Sequence, residues 1–213
     1  MAIALKPEAI KGQLFILSGP SGSGKTTLCQ GILREIAGLE FSISYTTRAP
    51  RDNEQHGMDY FFISVEEFER MRSDHVFLEW AEVHGNYYGT SEEYVDRLMR
   101  LGHDLLLDID VQGARQVRRR IPEAISILVF PPSFEELRNR LHSRGKDSME
   151  VIAQRLQVAQ SELRHFPDYD YLVINKDLDR ALQELRSILQ ACRCRTGRRT
   201  AWAEAILKGL TEE

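Results

Sequence analysis

The chain has 213 residues, of which 42% are apolar and 28% charged, which suits one globular domain with insertions and excludes a disordered or fibrous chain. With 28 Lys and Arg against 32 Asp and Glu, the net charge of −4 provides no overall field to gather nucleic acid or an anionic membrane, so any basic site must be local. The longest apolar runs, such as Leu14 to Leu17 and Leu105 to Leu107, fall far short of the ~20 residues that span a bilayer.

Gln13 to Leu17 reads as a buried strand, too short for a helix and running straight into a Gly-rich turn from Ser18 to Gly24. Thr26 to Ala37 places Leu28, Ile32, Leu33 and Ile36 on one helical face, with Gly38 positioned to stop it. Residues 41 to 94 change character: Tyr60 to Ile63 reads as a strand, Val65 to Arg72 as a short helix and HGNYYGTS as a turn-rich segment, together a small α+β insertion. A second apolar strand, Leu105 to Ile109, ends among Asp108 and Asp110, where strand alternation puts both acids on one face. A third, Ile125 to Phe130, is closed by Pro131 and Pro132. Ser133 to Phe166 reads as a helix-loop-helix arm broken near Gly145, rich in arginine at Arg138, Arg140, Arg144, Arg155 and Arg164. Tyr171 to Ile174 is a fourth strand, and a last helix runs from about Asp179 to Cys194. Buried strands alternating with helices predict an α/β fold, a parallel sheet in three layers.

Gly19-Pro20-Ser21-Gly22-Ser23-Gly24-Lys25-Thr26 fits the phosphate-loop pattern G-x-x-x-x-G-K-[ST] and stands between a strand and a helix, as that motif requires. Such a loop wraps phosphate oxygens with backbone N–H groups at the positive end of a helix. Gly19 through Thr27 are therefore the expected nucleotide-binding residues, with Lys25 reaching the β and γ phosphates and the Thr26 hydroxyl ligating Mg²⁺. Asn175-Lys176-Asp177-Leu178 begins like the guanine-reading N-K-x-D of switch GTPases, but Leu178 stands where that motif needs its carboxylate. Asn175 reads as a strand-end turn or as the lining of a base pocket.

The insertion holds a second constellation. Arg48 and Arg51 suit an acceptor phosphate, and Tyr60 with Tyr87 or Tyr88 adds hydroxyl donors. Glu79 offers a carboxylate that can accept two N–H groups together, and Ser44 and Thr90 offer hydroxyl donors beside it. Taken singly, the arginines read as a solvated turn, Glu79 as a surface acid and the tyrosines as core residues. Tyr87 and Tyr88 are equivalent by chemistry alone.

With the segments SYTTRAPR, GMDY, FLEWA, GNYYGT and LDIDVQG in order behind the phosphate loop, the chain closely resembles the guanylate kinase family over nearly its whole length. The resemblance implies a P-loop core at residues 1–41, 95–133 and 166–213, a GMP-binding subdomain at 42–94 and a helical lid at 134–165. It implies transfer of the γ-phosphoryl group of ATP to GMP, with Mg²⁺ accompanying ATP. Lys25, Arg48, Arg140, Arg144 and Arg155 are then the expected catalytic cations; Ser44, Arg48, Arg51, Tyr60, Glu79, Tyr88, Thr90, Asp108 and Asp110 are the expected substrate contacts. It also selects Tyr88 over Tyr87. Asp108 and Asp110 stand equally well for orienting metal-bound water or for touching the acceptor nucleoside.

A different class, the non-catalytic guanylate-kinase-like module that binds phosphoproteins, shares the insertion but has degraded phosphate loops and lids. Intact Gly24, Lys25 and Thr26 weigh against it. The amino terminus lacks a secretory or transit signature, and Cys29, Cys192 and Cys194 lack disulfide or zinc spacing, so the expected setting is cytoplasmic, with GMP and ATP as partners and neither nucleic acid nor membrane. The basic run RCRTGRR reads as a solvated helix end, and association into a homo-oligomer is compatible with it.

Overall fold

The computed structural model describes residues 11–51, 54–83, 85–143 and 148–210. In chain order the first half runs β1 (Leu14–Ser18), α1 (Lys25–Glu35), β2 (Leu39–Phe41), β3 (Tyr45–Thr46), β4 (Phe61–Phe62), α2 (Val65–Ser73), β5 (Phe77–Val83), β6 (Asn86–Ser91) and α3 (Glu92–Arg100). The second half runs β7 (Asp104–Asp108), α4 (Val111–Arg120), β8 (Ile125–Phe130), α5 (Phe134–Ser143), α6 (Met149–Leu163), β9 (Tyr171–Ile174), α7 (Leu178–Arg193) and α8 (Thr196–Leu210).

The core is a five-stranded parallel sheet in the order β2-β7-β1-β8-β9. All five residues of β1 are buried, because its alternating side chains serve two hydrophobic layers. Phe15 and Leu17 pack with Leu28 and Ile32 of α1 and Leu185 and Leu189 of α7, whereas Leu14 and Ile16 pack with Val95 and Met99 of α3 and Val117 of α4. This is the expected three-layer P-loop architecture. At the opposite end from the phosphate loop, Asp104 is only 3% exposed. It accepts from the Gln13 N–H at 2.6 Å, from Arg193 Nε at 2.7 Å and from Arg198 Nη2 at 3.1 Å, fastening α7 and α8 to the sheet. Two arginines of the basic tail are thus turned inward.

A second sheet, in the order β4-β3-β6-β5, is built from residues between Tyr45 and Ser91. The segment expected to be turn-rich is a strand over residues 86–91, paired antiparallel with β5, and only Gly85, at φ 75°, belongs to the turn among its described residues. Its glycine and asparagine hide the strand in the sequence. Gly89 sits where the Phe77 ring covers the backbone, 2.8 Å from where a Cβ would stand. Helices α3 and α4, being strongly polar, and the strands β2 and β3, being very short, also escape the periodicity reading, as do α8 and β5. Asp110 is not a strand residue: β7 ends at Asp108, and Asp110 is the N-cap of α4, its carboxylate accepting from the Gly113 N–H at 2.8 Å.

Helices α5 and α6 share a small core of Leu137, Leu141, Ile152 and Ala159. Arg144 and the expected break at Gly145 lie outside the described residues. No helix among the described residues is long and apolar enough to cross a membrane.

Candidate active site

The phosphate loop leaves β1 and enters α1 through backbone conformations that side chains resist: Gly22 has φ 89° and Gly24, the N-cap, φ 94°. Around it the fold leaves no slack. A Cβ at Gly24 would lie 2.1 Å from Asn175 Nδ2, and one at Gly22 would lie 2.9 Å from Leu137 of α5. Ser23 is fully buried and its hydroxyl has no protein partner. Lys25 folds back so that its ammonium donates to the Gly19 carbonyl, 3.9 Å from Asp108 Oδ1. Thr26 and Thr27 are exposed on the first turn of α1.

Asn175 supports this loop rather than ending a turn idly: its Nδ2 donates to the Ser23 carbonyl at 2.8 Å from the end of β9. Arg140 reaches the same point from α5, donating from Nη2 to the Asn175 carbonyl at 3.1 Å and from Nε to Glu136 at 2.9 Å. The arm and the loop are therefore joined through one asparagine. Arg155 is half-buried on α6, whereas Arg138 and Arg164 are exposed.

Acids gather about Lys25. Burial pushes the Asp108 carboxyl up against the pull of Lys25. It does the same to Asp110, which the Gly113 N–H partly offsets, and to Glu162 of α6, which Lys25 partly offsets. Glu162 was not anticipated; an acid near the end of α6, between Ser161 and Arg164, gives no sequence signal.

The second site is assembled by sheet register. Pairing of β5 with β6 sets Glu79 opposite Thr90, and pairing of β3 with β6 brings Ser44 alongside. The Thr90 hydroxyl donates to Glu79 Oε1 at 2.6 Å and lies 3.2 Å from the Ser44 hydroxyl. Glu79 is 3% exposed, and burial pushes its carboxyl up to about 7 in spite of the Thr90 hydrogen bond. Arg48 forms an ion pair with Glu54 at 2.9 Å, its guanidinium 5.5 Å from the centre of the Tyr60 ring. Glu54 also accepts the Arg51 N–H at 2.9 Å and was missed, because an acid within RDNEQHG reads as solvated loop. The Glu54 carboxylate raises the Arg48 pKa, and Arg48 lowers that of Glu54. The Tyr60 ring meets Tyr88 edge-on at 6.0 Å, and burial pushes its phenol up to about 12, with Asp108 contributing. Tyr87 turns away to stack on Phe68 at 5.3 Å.

Asp108 lies 3.9 Å from Lys25 of the phosphate loop, and its charge adds to the rise of the Tyr60 phenol in the insertion. The arrangement offers a phosphate cradle on the core and, on the insertion, a cluster of Arg48, Tyr60 and Tyr88 with the Glu79, Thr90 and Ser44 group on the same sheet.

The family model described as guanylate kinase matches residues 11–192. The guanylate kinase of Geobacter sulfurreducens is 52% identical over 188 residues, 88% of this chain and 93% of that protein. That of Hahella chejuensis is 52% identical over 200 residues, 94% of this chain and 96% of that protein. The crystal structure of guanylate kinase from Anaplasma phagocytophilum superposes with a TM-score of 0.74 at 34% identity, covering 89% of this chain and 90% of its own. The chain belongs to the guanylate kinase family.

Proposed function

We propose that the phosphate cradle at Gly19 to Thr27 holds ATP, that the insertion holds GMP, and that the γ-phosphoryl group passes directly between them in line. The observation that carries this reading is that one short segment reaches both sites: Asp108 lies 3.9 Å from Lys25, and the Glu79 carboxylate fills the space of the side chain that Gly113 lacks. Lys25 exchanges the Gly19 carbonyl for the β and γ phosphates. The forks of Arg48 and Arg51 take the GMP phosphate, with Tyr60 and Tyr88 adding hydroxyl donors. For this, Arg48 must trade the Glu54 carboxylate for phosphate, so Glu54 keeps the guanidinium oriented until GMP arrives. Glu79 takes the guanine N1–H and N2–H, while Ser44 donates to O6, where Thr90 joins it on turning its one hydroxyl proton away from Glu79. Because the attacking group is already a phosphate anion, the reaction needs positioning and positive charge rather than a base.

Residues 42–94 serve as the GMP-binding subdomain and 134–165 as a lid on the core, the lid bringing Arg140, Arg144 and Arg155 over the transferring group and keeping water from intercepting it. The exposed Thr26 hydroxyl, the buried unpartnered Ser23 hydroxyl and the Asp108 carboxylate beside Lys25 are hard oxygen donors of the kind that would suit a cation held mainly by nucleotide phosphates. Mg²⁺ bound there with ATP supplies neutralisation of the phosphate charge.

The test is ADP formation by the purified protein with MgATP and each of GMP, AMP, UMP and CMP. Turnover with GMP alone is expected. Binding of GMP without turnover would favour the phosphoprotein-binding module instead.

Asn175→Ala should separate loop geometry from acceptor recognition. Losing the bond to Ser23 leaves a buried carbonyl unpaired, a penalty of about 1–3 kcal/mol. The KM for ATP is expected to rise roughly tenfold while the KM for GMP holds, as read from initial rates with each substrate varied.

A further inference from the structure

Helix α4 lies along β5, the outer strand of the four-stranded sheet, and meets it with one face. Gln116 satisfies both backbone groups of Trp80: its Oε1 accepts the Trp80 N–H at 3.2 Å, and its Nε2 donates to the Trp80 carbonyl at 2.7 Å. One turn further on, Arg120 Nη1 donates to the carbonyls of Phe77 and Leu78 at 2.8 and 3.1 Å. One turn back on the same face stands Gly113. The helix thus covers the strand edge on which Glu79 lies, much as another strand would.

Gly113 has the ordinary backbone of a helix and no positive φ to explain it. Glycine is a poor choice there, since alanine forms helix better. What the position lacks is room. A Cβ would lie 2.3 Å from Glu79 Oε2 and 3.1 Å from its Cδ, with Asp110 Oδ1 the next atom at 3.4 Å. The carboxylate that faces the acceptor pocket occupies the space a side chain would fill.

We propose that Gly113 is a specificity-determining positioning residue, whose missing side chain seats the Glu79 carboxylate at the depth from which it meets guanine, with Gln116 fixing the strand beside it. The inference rests on the reading of Glu79 as the guanine contact. An alanine methyl at 113 is accommodated by turning the carboxylate, which is the free end of a side chain, and not by moving the helix. Recognition therefore suffers while the fold survives.

Steady-state kinetics of Gly113→Ala should show the KM for GMP raised about tenfold or more, with kcat and the KM for ATP within about twofold and Tm unchanged or raised. Glu79→Asp, whose carboxylate is one methylene shorter, should raise the KM for GMP in the parent protein yet add less than about twofold in the Gly113→Ala background, since coupled sites are non-additive. Should Gly113→Ala melt lower than the parent, adding Glu79→Ala must restore Tm, because the methyl then meets no carboxylate. The proposal is overturned if Gly113→Ala leaves the KM for GMP within about twofold while Glu79→Gln raises it, or if a lowered Tm persists without Glu79. If Glu79→Gln itself leaves GMP binding intact, the guanine reading fails first and carries this proposal with it.

Discussion

Replacing Lys25 by alanine is expected to lower kcat with ATP and GMP by roughly 10³-fold, the larger of the two principal effects. The ammonium lies 3.9 Å from Asp108 at the mouth of the phosphate loop and is the cation fixed closest to the loop's own backbone. Removing it takes away charge stabilisation that grows as the phosphoryl group detaches, together with the positive charge that offsets the burial of Asp108, Asp110 and Glu162. The GMP pocket is built from other elements, so GMP affinity measured by calorimetry should stay within about threefold. A fall in kcat below about tenfold would show that Lys25 serves the structure of the loop more than the transfer.

Glu79→Gln comes second. Two hydrogen bonds from guanine to a buried carboxylate are lost or reversed, and at about 1.5–3 kcal/mol for each charge-assisted bond the GMP affinity should fall by at least roughly 10²-fold. Discrimination against AMP should shrink with it, because the glutamine amide can donate to adenine N1 where the carboxylate cannot.

The same residue has a pH signature. Its folded pKa of about 7 lies above the ordinary 4.5. The native state therefore keeps a proton that the unfolded chain releases, and the stability this confers, about 3 kcal/mol, is present below pH 4.5 and lost as pH rises through 7. Guanine demands the ionised form, so GMP affinity should weaken about tenfold between pH 8 and pH 6 and GMP should release a proton on binding near neutrality. Glu79→Gln should abolish that component, leaving only the slope of the nucleotide phosphate, whose own pKa is near about 6. Calorimetry in buffers of different ionisation enthalpy measures both. An unchanged slope in Glu79→Gln would assign the titration elsewhere.

How far the sequence leads depends on how locally each part is encoded. The phosphate loop is contiguous, and its glycines, lysine and threonine announce both conformation and ligand. The buried strands of the core announce themselves by apolar runs. Asn175 does not, because its partner Ser23 lies 152 residues away and a strand-end asparagine carries no mark of what it will meet. Glu54 and Glu162 are acids in polar segments, indistinguishable from solvated ones until Arg48 and Lys25 are placed beside them. The Ser44, Thr90 and Glu79 triad is created by pairing register, including an irregularity between Phe77 and Glu79 that alternation alone does not foresee. Gly113 is the clearest case: a helical glycine reads as a weak point until the carboxylate filling its empty side is located. Family resemblance supplied one choice that local pattern could not, the expectation of Tyr88 rather than Tyr87 as a substrate contact.

The strand order has a consequence for how the chain is made. β1 is the first strand synthesised and the centre of the sheet, and the residues it must meet are far downstream: Gln13 bonds to residues 91 and 110 positions later. At ribosomal rates that is a wait of roughly 5 to 20 s, during which an apolar strand has neither flank covered. The loop that follows β1 cannot take its shape until β8 and then Asn175 have emerged, so the nucleotide cradle at the front of the sequence is among the last parts of the protein to exist.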